Sequence, residues 1–164
     1  MRVDIDRVVD IVGLAAEFDW SGSPDDLGRF CEAARWTITE SGPHGAEIAT
    51  NLDIDCPEAH AFVCDGRLNY INFDVSDVLS EEQSGDGALS RACFDSLADC
   101  LFRELGEPDR GARGSRHYFR WDLPKVIIFA YCLSRYNFVR LVDPQYQEKQ
   151  DFIDKHVVAR RDEI

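Results

Sequence analysis

Residues 88–142, ALSRACFDSLADCLFRELGEPDRGARGSRHYFRWDLPKVIIFAYCLSRYNFVRLV, predict a long helix followed by three strands. Apolar side chains recur at steps of three and four, as on the buried face of a helix, at Leu89, Cys93, Leu97, Cys100, Leu101 and Leu105. Gly106 and Pro108 end this helix, because glycine adopts the left-handed exit and proline cannot resume the helical hydrogen bonds.

The three strands follow an Arg/Gly-rich loop, at Arg116–Trp121, Lys125–Leu133 and Phe138–Val142. The middle strand is apolar at successive positions from Val126 to Leu133. We therefore expect it in the interior of a sheet that is covered on both faces.

The N-terminal segment predicts two helices. The first spans Asp4–Glu17, and the second begins after Ser23 with Pro24 in its first turn and two carboxylates near the positive end of its dipole. Their expected buried stripes are Val8, Ile11, Val12 and Ala15, and Leu27, Phe30, Cys31 and Ala34.

Alternating residues then predict two hairpins. Trp36–Glu40 pairs with Ala46–Asp55, and an Asp65-Gly66 turn joins two strands within Ala59–Val75. A polar loop at 80–87 precedes the long helix. A weaker closing helix, Tyr146–Ala159, follows the last strand, with Phe152, Ile153 and Val157 as its expected anchors.

This order, ααββββαβββα, predicts an α+β fold with a single, mainly antiparallel β-sheet and helices packed on a face. The 164 residues fit one domain, 1–164, and 45% of them are hydrophobic, enough for a sizeable core. The topology is similar to that of the sheet-and-helix folds of secretion chaperones, a likeness of architecture only.

The net charge of −13 is unevenly placed along the chain. Residues 36–90 contain eleven carboxylates and one arginine, Arg67, whereas residues 91–164 contain twelve carboxylates and thirteen basic side chains. Such an acidic chain disfavours nucleic acid as a partner, because nucleic-acid binding requires lysine and arginine to neutralise phosphates.

Clustered carboxylates repel one another, so their persistence indicates either a solvated face or a surface for a basic protein partner. Our predicted partner-binding residues are Asp53, Asp55, Glu58, Asp65, Asp74, Asp77, Glu81, Glu82 and Asp86, with Trp20 as an apolar anchor if it is exposed. We expect no metal at Asp53, Asp55 and Glu58, because the segment lacks the glycine turn and ligand series of a calcium loop.

No catalytic motif is present, and we expect no catalytic residue and no cofactor. The four histidines are scattered, and His117 alternates with aromatic residues as a core or edge histidine does. Arg110, Arg113 and Arg116 form an anion-binding loop or an exposed one whose arginines balance local acids. The six cysteines form no C-x-x-C pair, so we expect reduced thiols, with Cys56 the one most worth testing for a metal.

No apolar run approaches the roughly 20 residues that cross a bilayer, and the acidic N-terminus does not resemble a secretory signal. These features favour a cytoplasmic protein that does not act at a membrane. The oligomeric state is left open.

Three elements carry a resemblance to an actinobacterial family of cytoplasmic domains: Leu97–Asp109, the strand residues Tyr118–Trp121, and the early helix Asp25–Trp36. That family is similar in organisation to polymorphic-toxin immunity proteins, including the immunity factor of the tuberculosis necrotizing toxin, an NAD-hydrolysing enzyme. The resemblance implies a protein that binds a toxin and covers its active site, and it implies no catalytic residue.

The leading hypothesis is a non-enzymatic immunity protein that blocks a secreted toxin through the acidic 36–90 surface. The alternatives are a secretion chaperone or adaptor that holds a partly unfolded segment in an apolar groove, and a small enzyme whose site the sequence does not reveal.

Overall fold

The computed structural model describes the backbone of residues 1–112 and 117–161 and the side chains of residues 1–111 and 117–156. Its helices are α1 (Ile5–Glu17), α2 (Asp25–Ala34), α3 (Glu81–Ser84), α4 (Ala88–Leu105) and α5 (Pro144–Arg161). Its strands are β1 (Thr37–Gly42), β2 (Gly45–Ala49), β3 (Glu58–Cys64), β4 (Arg67–Asp74), β5 (Arg110–Ala112), β6 (His117–Asp122), β7 (Ile127–Cys132) and β8 (Asn137–Val142).

The described strands form one antiparallel sheet in the order β1-β2-β3-β4-β8-β7-β6-β5. Each half is a meander of sequential strands, and the halves meet where β4 pairs with β8, from Tyr70 opposite Val142 to Asp74 opposite Phe138. The predicted α+β class with one antiparallel sheet is confirmed.

The first sheet face holds the main core beneath α1, α2 and α4. Its largest fully buried side chains include Phe30, Phe73, Phe94 and Trp121. The predicted stripes of α1 and α2 are confirmed, since all eight named side chains are buried. The predicted interior strand is also confirmed: β7 lies between β6 and β8, with four of its six residues buried.

The buried face of α4 differs from the predicted one. Leu97 and Leu101 are buried as expected, but Leu89 is 45% exposed. The remaining buried positions are Ser90, Phe94 and Ala98. The buried face of α4 is centred on Phe94, because this ring stacks on Phe119 of β6, with centroids 5.8 Å apart.

The second sheet face lies beneath α5, and the predicted anchors of this helix are wrong. Phe152 is 62% and Ile153 50% exposed, and the Val157 side chain lies outside the described residues. The helix instead meets the sheet through Tyr146, which packs near Tyr70, and through Asp151, which accepts a hydrogen bond of 2.9 Å from Arg120. The Asp151 anchor is polar because β6, which lies beneath α5, presents Arg120.

Two segments predicted as loops contain regular structure. The 80–87 segment includes α3, whose first turn is closed by reciprocal hydrogen bonds between Ser80 and Gln83. Within the Arg/Gly-rich loop, Arg110–Ala112 form β5 and pair with β6. Arg113 and Arg116 lie outside the described residues, so the predicted anion loop is represented by Arg110 alone.

The α4 face can be tested with two leucines of the same helix. Leu97→Ala should lower the free energy of unfolding by about 2–5 kcal/mol, because it opens a cavity in the core. Leu89→Ala, at an exposed position, should change it by less than about 0.5 kcal/mol. Urea unfolding followed by circular dichroism measures both changes in the free energy of unfolding. Equal losses of stability would contradict a buried face of α4 that contains Leu97 and excludes Leu89.

The docking of α5 yields a second test. Asp151→Asn should cost about 1–3 kcal/mol, because it removes a carboxylate from the buried Arg120 guanidinium. Amide hydrogen exchange in α5 should accelerate. Phe152→Ser is the matched control, and it should leave the exchange unchanged because the ring is exposed. Faster exchange in the Phe152→Ser variant would indicate that Phe152 anchors α5, as the sequence predicted.

Candidate functional site

Most of the predicted acidic residues meet at one end of the sheet. Because β3 and β4 are antiparallel, the first residue of β3, Glu58, and the last of β4, Asp74, lie at the same end. The segment after β4 stays there, since the Leu79 N–H donates to the Arg135 carbonyl in the β7–β8 turn at 2.9 Å. We call this the acidic end, comprising Asp53, Asp55, Glu58, Asp74, Asp77, Glu81, Glu82 and Asp86.

Two predicted partner-binding residues lie elsewhere. Asp65 occupies the β3–β4 turn, at the opposite end of the sheet. Trp20 is half-buried in an aromatic cluster, 4.9 Å from the Phe30 ring between centroids, and its indole N–H donates to the Ala15 carbonyl at 2.8 Å. These contacts favour a packing role for Trp20 over an exposed anchor.

Arg2 holds three carboxylates of the acidic end together. Its guanidinium lies 3.3 Å from Asp53, pairs with Asp55, and lies 3.5 Å from Asp77. Its backbone N–H also donates to Asp77 at 2.6 Å. These contacts fasten the N-terminal segment to the loop before β3 and compensate part of the local negative charge.

Asp77 is the structural member of the group, since it is buried. Its carboxylate accepts from the backbone N–H groups of Arg2 and Asp55, at 2.6 and 2.9 Å. Burial opposes ionisation, but these two hydrogen bonds and the charge of Arg2 outweigh it and hold the pKa of Asp77 below its usual value. Asp77 therefore stays ionised and orders the loop.

The remaining carboxylates differ in exposure and compensation. Burial raises the pKa of Asp74, and Glu58 raises it further, while His60 lowers it. Asp86 lies 3.6 Å from Arg91. Glu58, Glu81 and Glu82 are exposed, and no ion pair joins them to another described residue. The surface therefore carries a net negative field despite Arg2.

Exposed apolar side chains border these carboxylates. Val78 precedes α3, Leu89 lies in the first turn of α4, and Leu133 begins the β7–β8 turn. The Ser90 hydroxyl of α4 donates to the Leu133 carbonyl at 2.7 Å and so ties this helix to the β7–β8 turn. The three apolar side chains and the carboxylates therefore share one end of the sheet.

The described residues contain no group of three metal-ligating side chains, and all six cysteines are free, with Cys56 exposed. Among the described residues one histidine–carboxylate pair is present, between His60 and Glu47 of neighbouring strands, with both side chains more than half exposed.

A separate cleft of about 350 Å³ lies at the opposite end of the sheet, lined in part by Trp20, Asp26 and Arg67. Its charges are paired internally. Arg67 donates to Asp143 at 2.9 Å, and the fully buried Asp26 accepts from the Ser21 and Gly22 backbone at 2.7 and 2.8 Å. The side chains of Asp26, Arg67 and Asp143 are thus already paired, whereas a general acid or base must be free to exchange a proton with its substrate.

Within the described part of the chain, no helix has the length and apolar character to cross a bilayer.

The fold and the acidic end define an α+β protein with one antiparallel sheet and a carboxylate-rich surface at one end. The chain belongs to a family of unknown function, DUF6301, whose model matches residues 6–131. No curated protein sequence matches it. Among solved structures it is similar to a DUF4309 family protein (YjgB) from Bacillus subtilis subsp. subtilis str. 168, with 9% identity, a TM-score of 0.43, and coverage of 85% of this chain and 95% of that one.

Sequence reasoning missed Arg2 as a member of this site. Its partners lie 51 to 75 residues away along the chain, so no local spacing connects them. The available signal in the sequence was the charge imbalance. Carboxylates that come together on folding repel one another, so a cation is expected near them.

The Arg2 contacts predict a pH-dependent stability. Because the folded-state pKa of Asp77 is depressed, its contribution is present above the unfolded pKa of about 3.9 and is lost as the pH falls through the folded value. Arg2→Ala should lower Tm by a few degrees at pH 7, and the difference from wild type should narrow below about pH 4.

Lys125→Ala is the control for this measurement, because Lys125 forms an exposed pair with Asp19 at 2.6 Å. Exposed pairs contribute little, so its Tm should stay close to that of wild type. Thermal scans between about pH 3 and pH 7 give both results. An Arg2→Ala variant with the wild-type profile would show that the cluster is held without Arg2.

Proposed function

We propose that this protein is a non-enzymatic immunity protein, which binds a secreted toxin and covers its active site with the acidic end. The first candidate for the toxin is an NAD-hydrolysing enzyme, from the resemblance carried by Leu97–Asp109, Tyr118–Trp121 and Asp25–Trp36. The same resemblance would place the protein in an actinobacterial cytoplasm.

The observation that carries this proposal is the convergence of eight carboxylates from three separate segments at one end of the sheet. Only part of their charge is offset by Arg2, by Arg91 and by Arg135, whose guanidinium donates to the Leu79 carbonyl at this end. A field of one sign steers a partner of opposite charge, which raises the rate of association and disfavours wrong partners.

The exposed Val78, Leu89 and Leu133 would supply the desolvated contact that charge alone does not. In protein interfaces, apolar contacts at the centre provide most of the affinity, and rim charges mainly change the association rate. A basic surface around the toxin's active site, with an apolar residue at its centre, would complement this arrangement.

A second candidate is a secretion chaperone or adaptor, which a groove on the first sheet face favours. This groove, about 760 Å³, lies between α2 and the β1–β2 hairpin and is lined in part by Leu27, Ile38 and Val63. All six residues of β1 are exposed, and β1 is an edge strand, so its outer side can pair with an extended segment. A chaperone would hold an unfolded segment there, whereas an immunity protein binds a folded enzyme.

The test is a charge reversal at the acidic end. The triple variant Glu58→Lys, Glu81→Lys and Glu82→Lys changes three exposed carboxylates that have no described ion pair. With the toxin encoded by the neighbouring reading frame, the association rate constant should fall about tenfold or more, and its dependence on salt should weaken. Surface plasmon resonance at several salt concentrations gives both quantities.

The matched control reverses three exposed carboxylates at the other end of the molecule: Glu17→Lys, Glu107→Lys and Glu148→Lys. The net charge change is the same, so a steering effect specific to the acidic end should leave this variant close to wild type. Equal rates for the two triple variants would remove the acidic end from the interaction. Capture of the toxin only in its unfolded form would favour the chaperone.

A further inference from the structure

A groove of about 930 Å³ separates α5 from the second sheet face. Its walls include Tyr118, Phe129 and Tyr131 on the sheet side and Tyr146 and Gln150 on the helix side. Small-molecule sites commonly occupy about 300–1,000 Å³, so the groove has the size of a ligand site. It adjoins the acidic end at the β7–β8 turn, where Leu133 and Ser134 also line the groove.

Two rings of the groove floor, Tyr118 and Tyr131, belong to a row of aromatic rings that continues to Phe138 beyond the lining. Tyr118, Tyr131 and Phe138 lie directly opposite one another on β6, β7 and β8. Neighbouring ring centroids are 6.1 and 4.7 Å apart, with interplanar angles of 27° and 17°. Such a stacked row offers planar surface to a further ring.

The next row across the sheet places two arginines around a ring. Arg120 and Arg140 flank Phe129 on the neighbouring strands. Arg120 is only 5% exposed, and its guanidinium is compensated by Asp122 and by Asp151 of α5. Its charge is therefore satisfied within the protein.

Arg140 is not compensated in this way. Its Nε donates to the neutral Asn72 amide oxygen at 2.6 Å, and its guanidinium lies 4.7 Å from the Tyr70 ring centroid. Among the described residues, no carboxylate lies within ion-pair distance of it. The chain has a net charge of −13, yet the described residues place no carboxylate beside this half-buried guanidinium.

The groove also contains the hydroxyl groups of two tyrosines. The phenols of Tyr118 and Tyr131 form no hydrogen bond with any described residue. Burial raises the pKa of Tyr131, so its phenol stays protonated and can donate a hydrogen bond.

The charge of the lining agrees with these contacts. Its described side chains include four cations, Arg110, Arg120, Arg140 and Lys155, and two carboxylates, Asp151 and Asp154. Asp122, which pairs with Arg120 from outside the lining, offsets one further cation, so the groove keeps a small positive excess that attracts an anion.

We infer that this groove binds a small planar organic anion, whose ring lies against the aromatic lining of Tyr118, Phe129 and Tyr131 and whose carboxylate or phosphate pairs with Arg140. Arginine suits this role because its planar fork binds carboxylate and phosphate in two parallel hydrogen bonds and stacks on aromatic faces. Tyr118 and Tyr131 add donors to the same anion.

The experiment titrates the full-length protein and follows backbone amides of β7 and β8 and the Arg140 side chain by NMR. Two ring-bearing anions, adenosine 5′-monophosphate and benzoate, distinguish a phosphate from a carboxylate as the bound group. Adenosine and inorganic phosphate each lack one of the two required parts. At least one ring-bearing anion should saturate below about 10 mM, and the incomplete probes should bind at least about tenfold more weakly.

Arg140→Met should weaken that binding about tenfold or more, and Arg140→Lys should restore part of it, because the charge returns without the fork. Arg103→Met is the control at an exposed arginine of α4, and it should bind as wild type does. Urea unfolding confirms that each variant is folded, and Arg140→Lys replaces Arg140→Met as the test if the latter is not.

Three results would overturn the inference: no saturation by either ring-bearing anion, affinity unaltered in the folded arginine variants, or adenosine or inorganic phosphate alone binding as tightly as the complete anion. The variants of Arg140 leave the acidic carboxylates unchanged, so the outcome of this titration is independent of the toxin-binding proposal.

Discussion

The pairing of β4 with β8 is the interaction on which the structure depends. It joins two meanders that are each built from sequential strands, and it does so across a sequence separation of more than sixty residues. The closure cost of such a contact grows only slowly with loop length, whereas the continuous sheet buries apolar side chains from both halves in one core. α4 lies across this core because Phe94 packs on β6 of the second half.

The same pairing separates the two surfaces of interest. It aligns the end of β4 with the start of β8, so the acidic segments and the β7–β8 turn share one end of the sheet. It also sets Asn72 opposite Arg140 and thereby fixes the guanidinium beneath α5. An acidic surface and a basic, aromatic groove follow from one register, and a one-residue slip would exchange the two faces of β8.

Sequence patterns were sufficient to predict the elements that pack through apolar side chains. The stripes of α1 and α2 follow from helical spacing, because each helix buries one face. The interior position of β7 follows from its successive apolar residues, because both of its faces are covered. These patterns failed for α5, where Phe152 and Ile153 are exposed. Asp151 docks this helix on Arg120, and hydrophobic periodicity contains no information about such an ion pair.

The composition of the candidate site was predictable from the sequence, but its geometry was not. The excess of carboxylates in residues 36–90 is visible in the sequence, and most of them do gather at one end. Asp65 separates from the others because a hairpin turn places it at the far end, and Asp77 is buried because the backbone of Arg2 and Asp55 binds it. Both outcomes depend on strand direction and on contacts between distant residues, which charge counting does not include.

The central proposal is that the acidic end contacts a folded protein partner. The most direct measurement is an amide hydrogen-exchange footprint of the protein alone and with the proposed toxin, for which the product of the neighbouring reading frame is the candidate. The account predicts slower exchange in residues 51–58 and 76–90, with the β3–β4 turn at Asp65-Gly66 unchanged. Protection confined to that turn, to the β1 edge or to the groove beneath α5 would contradict it.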